Sequence, residues 1–179
     1  TLPNDPSFSN LWGLHNTAQT GGTADADIDA PEAWDLSTGS SSVIVAVIDT
    51  GVDYNHQDLS ANMWTNSGET PGNGVDDDGN GYVDDYYGIN AVNGSGDPMD
   101  TPESSGVYYG HGTHCSGTVA AVGNNGTGVV GVCWTARIMA LKYWGTNWGT
   151  VSATTTCYEY AISKGAHIIN ASYGSYGYS

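Results

Sequence analysis

Val43 to Ile48 is an unbroken apolar run, rich in β-branched residues, that stops at Asp49-Thr50-Gly51. A strand without polar alternation is buried on both faces, as in the interior of a parallel sheet. Two further strands are predicted, at Arg137-Ile138-Met139-Ala140-Leu141-Lys142 and at His167-Ile168-Ile169-Asn170-Ala171-Ser172. Helices are predicted around them. Gly112 to Ala121 is made of small residues and begins directly after His111. Ser152 to Lys164 places Ala153, Cys157, Tyr160 and Ala161 on one stripe, with Ser152 as cap and Gly165 past the end. A shorter helix near Ala30 to Leu36 carries Pro31 early, where its missing N–H costs nothing.

Strands alternating with helices specify βαβ units with right-handed crossovers. The expected fold is therefore α/β, a doubly wound parallel sheet, forming one domain portion over residues 1–179. Residues 1 to about 30 read as an irregular arm. Tyr173 to Ser179 supply no finishing element after the third strand, so the domain is expected to be incomplete. Residues 60 to 110 are polar and rich in Gly, Asn and Asp, and a loop of that length in a compact domain is functional or ligand-ordered.

Charge narrows the partners. Against 19 Asp and Glu stand 3 Lys and Arg, a net charge of −16. Nucleic acid is not an expected partner, because phosphate binding needs a basic footprint. No run of about 18 apolar residues marks a membrane span. The start, Thr1-Leu2-Pro3-Asn4-Asp5-Pro6, has no signal-peptide pattern, though it suits a mature end left after removal of one.

The acidic residues are clustered. Asp76-Asp77-Asp78 and Asp84-Asp85 lie close enough to repel unless a cation neutralises them. Asp76, Asp78 and Asn80 match the first, third and fifth positions of a calcium loop. Gly81 supplies the turn, Tyr82 a carbonyl, and Asp84 or Asp85 a further carboxylate. Tyr87 stands where an EF-hand has its bidentate Glu, so this is a Ca2+ loop without being an EF-hand. The competing reading is a solvated acidic turn.

Three cysteines allow one disulfide with one free thiol, or no disulfide at all. Cys115 is expected to be a buried free thiol, and Cys133 with Cys157 is the better candidate pair.

Asp49 falls at the carboxyl end of a predicted strand, where reactive groups collect in open α/β sheets. His111 opens a helix between Gly110 and Gly112. A carboxylate there can fix the tautomer of an imidazole that takes a proton from a nucleophile. Residue by residue, the plainer alternatives are a turn-capping Asp and a His beside a helix cap. His114 is read as packing or hydrogen bonding. A zinc-protease reading fails because His111 and His114 are three apart with no His-Glu-x-x-His pattern.

Asp49-Thr50-Gly51 and His111-Gly112-Thr113-His114 resemble the Asp and His segments of subtilisin-like serine peptidases. The resemblance runs from Asn4-Asp5-Pro6 through Ala33-Trp34-Asp35 and His56-Gln57-Asp58-Leu59 to Ser172-Tyr173-Gly174, and is greatest to the thermitase-like, calcium-binding branch. It implies a secreted endopeptidase with Asp49 and His111 as catalytic residues. It also implies a second Ca2+ site from Asp5, Asp58 and Asn125, with carbonyls of Val122, Thr127 and Val129. A polypeptide substrate would add as a strand between Ser172-Tyr173-Gly174 and Trp148-Gly149-Thr150, with Trp144 and Tyr173 lining an apolar pocket.

The resemblance has one large gap. The family's Gly-Thr-Ser-Met-Ala stretch and its oxyanion Asn segment have no counterpart in these residues. Without nucleophile and oxyanion donor, residues 1–179 alone are expected to be inactive. The implied partner is the C-terminal part of the peptidase domain, as continuation or as a separate chain. The alternative function is a non-catalytic, calcium-dependent peptide-binding domain.

Overall fold

The structure, a computed structural model, describes residues 1–101, 109–145 and 149–174. Its elements in chain order are α1 (Ala30–Trp34), β1 (Ile44–Asp49), β2 (Gly88–Asn90), α2 (His111–Ala120), β3 (Arg137–Lys142), α3 (Val151–Ser163) and β4 (Ile168–Asn170). The four strands form one parallel sheet in the order β2-β3-β1-β4. The apolar run expected to be buried on both faces lies inside the sheet: β1 is flanked by β3 and β4, with Asp49 opposite Lys142 at its end.

Side chains alternate across the sheet, and each face receives a helix. Ala46, Ile48, Met139 and Leu141 pack with Ala153, Cys157, Tyr160 and Ala161 of α3. Val45, Val47, Ile138 and Ala140 point the other way, onto Ala120, Val119 and Cys115 of α2. This is the doubly wound arrangement. Ile48, Ile138, Met139 and Leu141 are fully buried, and each such side chain contributes about 1.5–3 kcal/mol through removal from water. A third cluster, Phe8, Ala30, Trp34 and Val130, ties the N-terminal arm and α1 to the body.

The two faces decide the cysteines. Cys133 packs with the α2 layer and Cys157 with the α3 layer, so the sheet separates them and the expected pair does not form. All three thiols are free, and Cys115 is half-buried rather than buried.

Local boundaries differ in instructive ways. The α3 cap is Thr150, whose hydroxyl accepts from Ala153 N at 3.0 Å, so the helix starts one residue before the expected Ser152. Gly165 follows its end at φ +75°, a left-handed conformation that favours glycine. β4 stops at Asn170, leaving Ala171 and Ser172 outside the strand. β2 was hidden inside the polar loop, since three residues starting with Gly carry no strand signal. Gly88 sits at φ +134°, and a Cβ there would lie 1.8 Å from Ala140 O, so only glycine lets β2 approach β3. His114 is exposed on the outer side of α2 rather than packed.

Candidate active site and acidic clusters

The carboxyl end of β1 and the first turn of α2 meet. Asp49 is 2% exposed, and its Oδ1 lies 2.7 Å from His111 Nδ1. The same oxygen accepts from Thr50 N at 2.7 Å, which holds the carboxylate against its own strand end. Thr50 Oγ1 in turn accepts from Gly112 N at 2.9 Å and clamps the helix start to the strand. A Cβ at Gly112 would lie 2.1 Å from Gly51 O and 2.9 Å from Asp49 Cβ. The small residue beside His111 is thus required by the close approach of α2 to β1. Asp49 Oδ2 is buried without a hydrogen-bond partner, and the His111 side chain is 41% exposed. The imidazole therefore bridges a buried carboxylate and open solvent, the placement needed for proton transfer to an outside group.

A cleft of about 170 Å³ opens beside this pair, lined by Asp49, Thr50, His111, Tyr143, Trp144, Ser172, Tyr173 and Gly174. The Trp144, Ser172, Tyr173 and Gly174 expected at a substrate wall come together here. Gly149 does not line it: a Cβ there would meet the Tyr143 ring at 2.1 Å, so this glycine backs the ring. Trp148 and residues 175–179 lie outside the described residues.

Tyr143 was missed in the sequence. Its ring is 4.3 Å from Tyr173 and 5.8 Å from Trp144, and its N–H donates to Asp49 O at 3.1 Å. Its place directly after a buried strand was the available signal. Burial pushes its phenol pKa far up, so it stays neutral. Cys115, one helical turn after His111, was also missed as a neighbour: Sγ is 3.8 Å from His111 Nδ1. A larger cavity of about 1020 Å³ lies beyond α2, lined among others by Trp12, Ile28 and His114, and contains neither Asp49 nor His111.

Asp5, Asp58 and the segment 122–129 also meet. Asp5 and Asp58 are 4% and 2% exposed. Asp5 accepts from Asn124 N at 2.7 Å, while Asp58 accepts from Asn125 Nδ2 at 2.8 Å and Val129 N at 2.9 Å. Val122 N donates to Asp58 O at 2.9 Å, and Thr127 N to Asn125 Oδ1 at 2.8 Å. All the oxygen-bearing residues named for this region are gathered around one turn.

The Asp-rich loop is arranged differently from its spacing. Asp76 accepts from Asn80 N and Gly81 N, and Asp84 from Asn73 N and Gly74 N, so both carboxylates brace turns. Tyr82 packs edge-on against Tyr160. The carboxylates that converge are Glu69, Asp78 and Asp85, each with an oxygen within 4.8 Å of the others. Glu69 was missed because it lies seven residues before the loop. Its Oε2 is buried without a partner, and Oε1 accepts from Asp77 N and Asp78 N at 3.0 and 3.2 Å. Asp85 is fully buried and takes Asn80 Nδ2 at 2.8 Å and the Tyr160 hydroxyl at 2.5 Å. Lys164 Nζ pairs with Asp78. Burial opposes ionisation of Asp78, but Lys164 and the Asn66 amide outweigh it and hold its pKa below the usual value.

This chain is similar to known proteins. The profile of the Subtilase family, Peptidase_S8, matches residues 40–179. Subtilisin-like protease 1 of Plasmodium vivax is 47% identical over 137 residues, covering 75% of this chain and 21% of that protein. The chain spans about a fifth to a quarter of the length of such curated relatives. Among solved structures, a protease from Pseudoalteromonas arctica is 31% identical with a TM-score of 0.62, covering 98% of this chain and 51% of that one. The serine protease of Aeromonas sobria is 26% identical with a TM-score of 0.71, covering 99% and 27%.

Proposed function

Because this chain belongs to the subtilase family, we propose that it supplies the Asp and His of a serine endopeptidase, Asp49 and His111, to a serine outside residues 1–179. The observation that carries this reading is the 2.7 Å contact between buried Asp49 and half-exposed His111 at a strand end. In this reading His111 Nδ1–H donates to Asp49, which leaves Nε2 free to take the nucleophile's proton. Asp49 then stabilises the imidazolium. The peptide lies along Ser172-Tyr173-Gly174, with an apolar side chain against Trp144 and Tyr173.

Residues 1–179 alone are inactive in this account, since they hold no Gly-Thr-Ser-Met-Ala stretch. The test is intact mass after treatment of the native protein with a fluorophosphonate. A labelled polypeptide that contains or accompanies this chain supports the reading. Peptide turnover by residues 1–179 alone overturns it. Peptide binding with no labelled partner favours the non-catalytic binding domain.

Calcium fits two places on the chemistry of their donors. At Asp5 and Asp58 two buried carboxylates stand beside Asn125, whose Nδ2 donates to Asp58 and whose amide would turn to present Oδ1, completing the oxygen set a hard cation takes. At the acidic loop, the orphaned buried Oε2 of Glu69 faces a set completed by Asp78 and Asp85. We assign the loop's cation to these three rather than to Asp76 and Asp84. Calcium there would supply structural charge neutralisation, and ligand binding to the folded state alone stabilises it by about 2.7 kcal/mol at a hundredfold excess over Kd. Among the described residues no helix is long and apolar enough to cross a membrane. Secretion is part of the same proposal, since calcium binding suits an extracellular setting.

A further inference from the structure

We propose that Asp100 is a positioning residue for His111, a buried carboxylate that holds the start of α2 against the ends of β1 and β3 and steadies the charge on the imidazole. Its consequence for turnover rests on the catalytic reading above; its geometry does not. Asp100 is 4% exposed and lies outside the cleft that Asp49 and His111 line. Helix α2 opens without a cap of its own. Its first N–H groups need acceptors, and Gly110 before His111 has no side chain to offer. Asp100 supplies them from ten positions earlier. Its Oδ1 accepts from Gly110 N at 3.4 Å, and its Oδ2 accepts from Thr113 N at 3.3 Å and from Thr113 Oγ1 at 2.7 Å. His111 lies between these two anchored residues, so its backbone is fixed from both sides.

The cap is itself held by both strand ends. Thr113 Oγ1 accepts from Asp53 N at 2.9 Å, which extends the hydrogen-bond chain from Asp100 to the turn after β1. Val52 N donates to Pro98 O at 3.0 Å and Asp100 N to Val52 O at 3.4 Å, so the strap 98–100 pairs with that same turn. A Cβ at Gly51 would lie 2.4 Å from Pro98 O and 3.0 Å from Asp100 N, which shows how closely the strap presses on it. From the end of β3, Lys142 Nζ donates to Met99 O at 2.7 Å and to Thr101 Oγ1 at 3.2 Å. Lys142 is the residue opposite Asp49 in the sheet. The carboxylate that orients the imidazole and the carboxylate that caps its helix are therefore anchored to the same two strand ends.

Charge adds to geometry. A carboxylate at a helix N-terminus offsets the positive end of the helix dipole, which otherwise opposes protonation of a group in the first turn. The other groups around His111 are Asp49 from β1, Cys115 from its own helix, and Tyr143 and Tyr173 across the cleft, while Lys142 is directed at Met99 and Thr101. Asp100 thus joins Asp49 in favouring the imidazolium that forms when His111 takes the nucleophile's proton.

The experiment follows the His111 ring by nitrogen-15 NMR across pH in residues 1–179, with and without Asp100→Asn. The amide keeps an acceptor for Thr113 and removes the charge. The titration midpoint of His111 should fall by about half a pH unit. Thr113→Ser, which keeps the hydroxyl link, should leave it in place. In the serine-bearing protein, Asp100→Asn and Thr113→Val should each lower kcat about ten- to a hundredfold with KM nearly unchanged, and Thr113→Ser should restore it. The acid limb of the pH–rate profile should move down in Asp100→Asn together with the His111 midpoint. A merely structural cap would lower the urea midpoint and leave the His111 titration and the kcat of both variants in place, and that result overturns the proposal. Full turnover in Asp49→Asn would sink the catalytic reading without touching the midpoint shift in residues 1–179, so the two can fail separately.

Discussion

His111 Nδ1 and Asp49 Oδ1 meet at 2.7 Å although 62 positions separate them in sequence. The contact exists because a strand end and a helix start are clamped together by Thr50 and Gly112. In the serine-bearing protein, Asp49→Asn should leave KM nearly unchanged and lower kcat by about 10⁴-fold, since the amide favours the wrong histidine tautomer. Steady-state hydrolysis of a peptide substrate checks this. A loss below tenfold would remove Asp49 from the mechanism.

Gly112→Ala tests the clamp. Its Cβ would lie 2.1 Å from Gly51 O, so α2 must retreat from β1. The expected cost is about 1–3 kcal/mol in urea unfolding.

Lys164 and calcium should compete for Asp78. The ion pair is mostly buried, with side chains 15% and 19% exposed. In chelator, Lys164→Met should destabilise the protein by about 1–3 kcal/mol, because a carboxylate loses its partner. In excess calcium the loss should shrink, and isothermal titration should show tighter calcium binding than in the parent. Equal losses in both conditions would place the cation elsewhere.

Glu69→Gln should lower the calcium-dependent gain in Tm while leaving the Tm in chelator unchanged or higher. The amide still accepts from Asp77 N and Asp78 N, but the charge at the orphaned oxygen is gone. Asp84→Asn should have little effect on that gain, since Asp84 braces Asn73 and Gly74. The reverse ranking would restore the arrangement expected from spacing.

Cys157 makes the protein alkali-sensitive. Burial raises its thiol pKa to about 12 from an ordinary 9.0. The folded state then holds a proton that the unfolded chain releases, so its stabilising contribution is complete below about pH 9 and lost as pH rises toward 12. The slope approaches about 1.4 kcal/mol per pH unit. Cys157→Ala should flatten the denaturation midpoint over that window, and Cys157 should resist alkylation at pH 8 until the chain unfolds.

The sheet was legible because β1 and β3 announce themselves: fully buried strands are apolar without interruption. The pair Asp49 and His111 was legible because each sits at an element boundary and carries family motifs around it. β2 was not, since its three residues gain their strand character only from β3 beside them. Nor was Glu69, because the convergence of carboxylates depends on how Asn66, Asn73 and Asn80 fold the loop back. Spacing placed Asp76 and Asp84 at ligand positions, yet nearby backbone amides reach them first. The cysteine pairing failed for a topological reason, as alternate sides of one sheet cannot be bridged.

Tyr160 donates to Asp85 across 75 positions of sequence, joining α3 to the acidic loop. Asn66 and Asn80 can reach Asp85 from within the loop, but the Tyr160 bond cannot form until most of the chain has emerged. Docking of the loop onto α3 therefore depends on a contact of high sequence separation, the kind that forms slowly. If the calcium proposed for this loop binds there, refolding should slow in chelator, which makes the ion's supply a control on when the domain closes as well as on how firmly it holds.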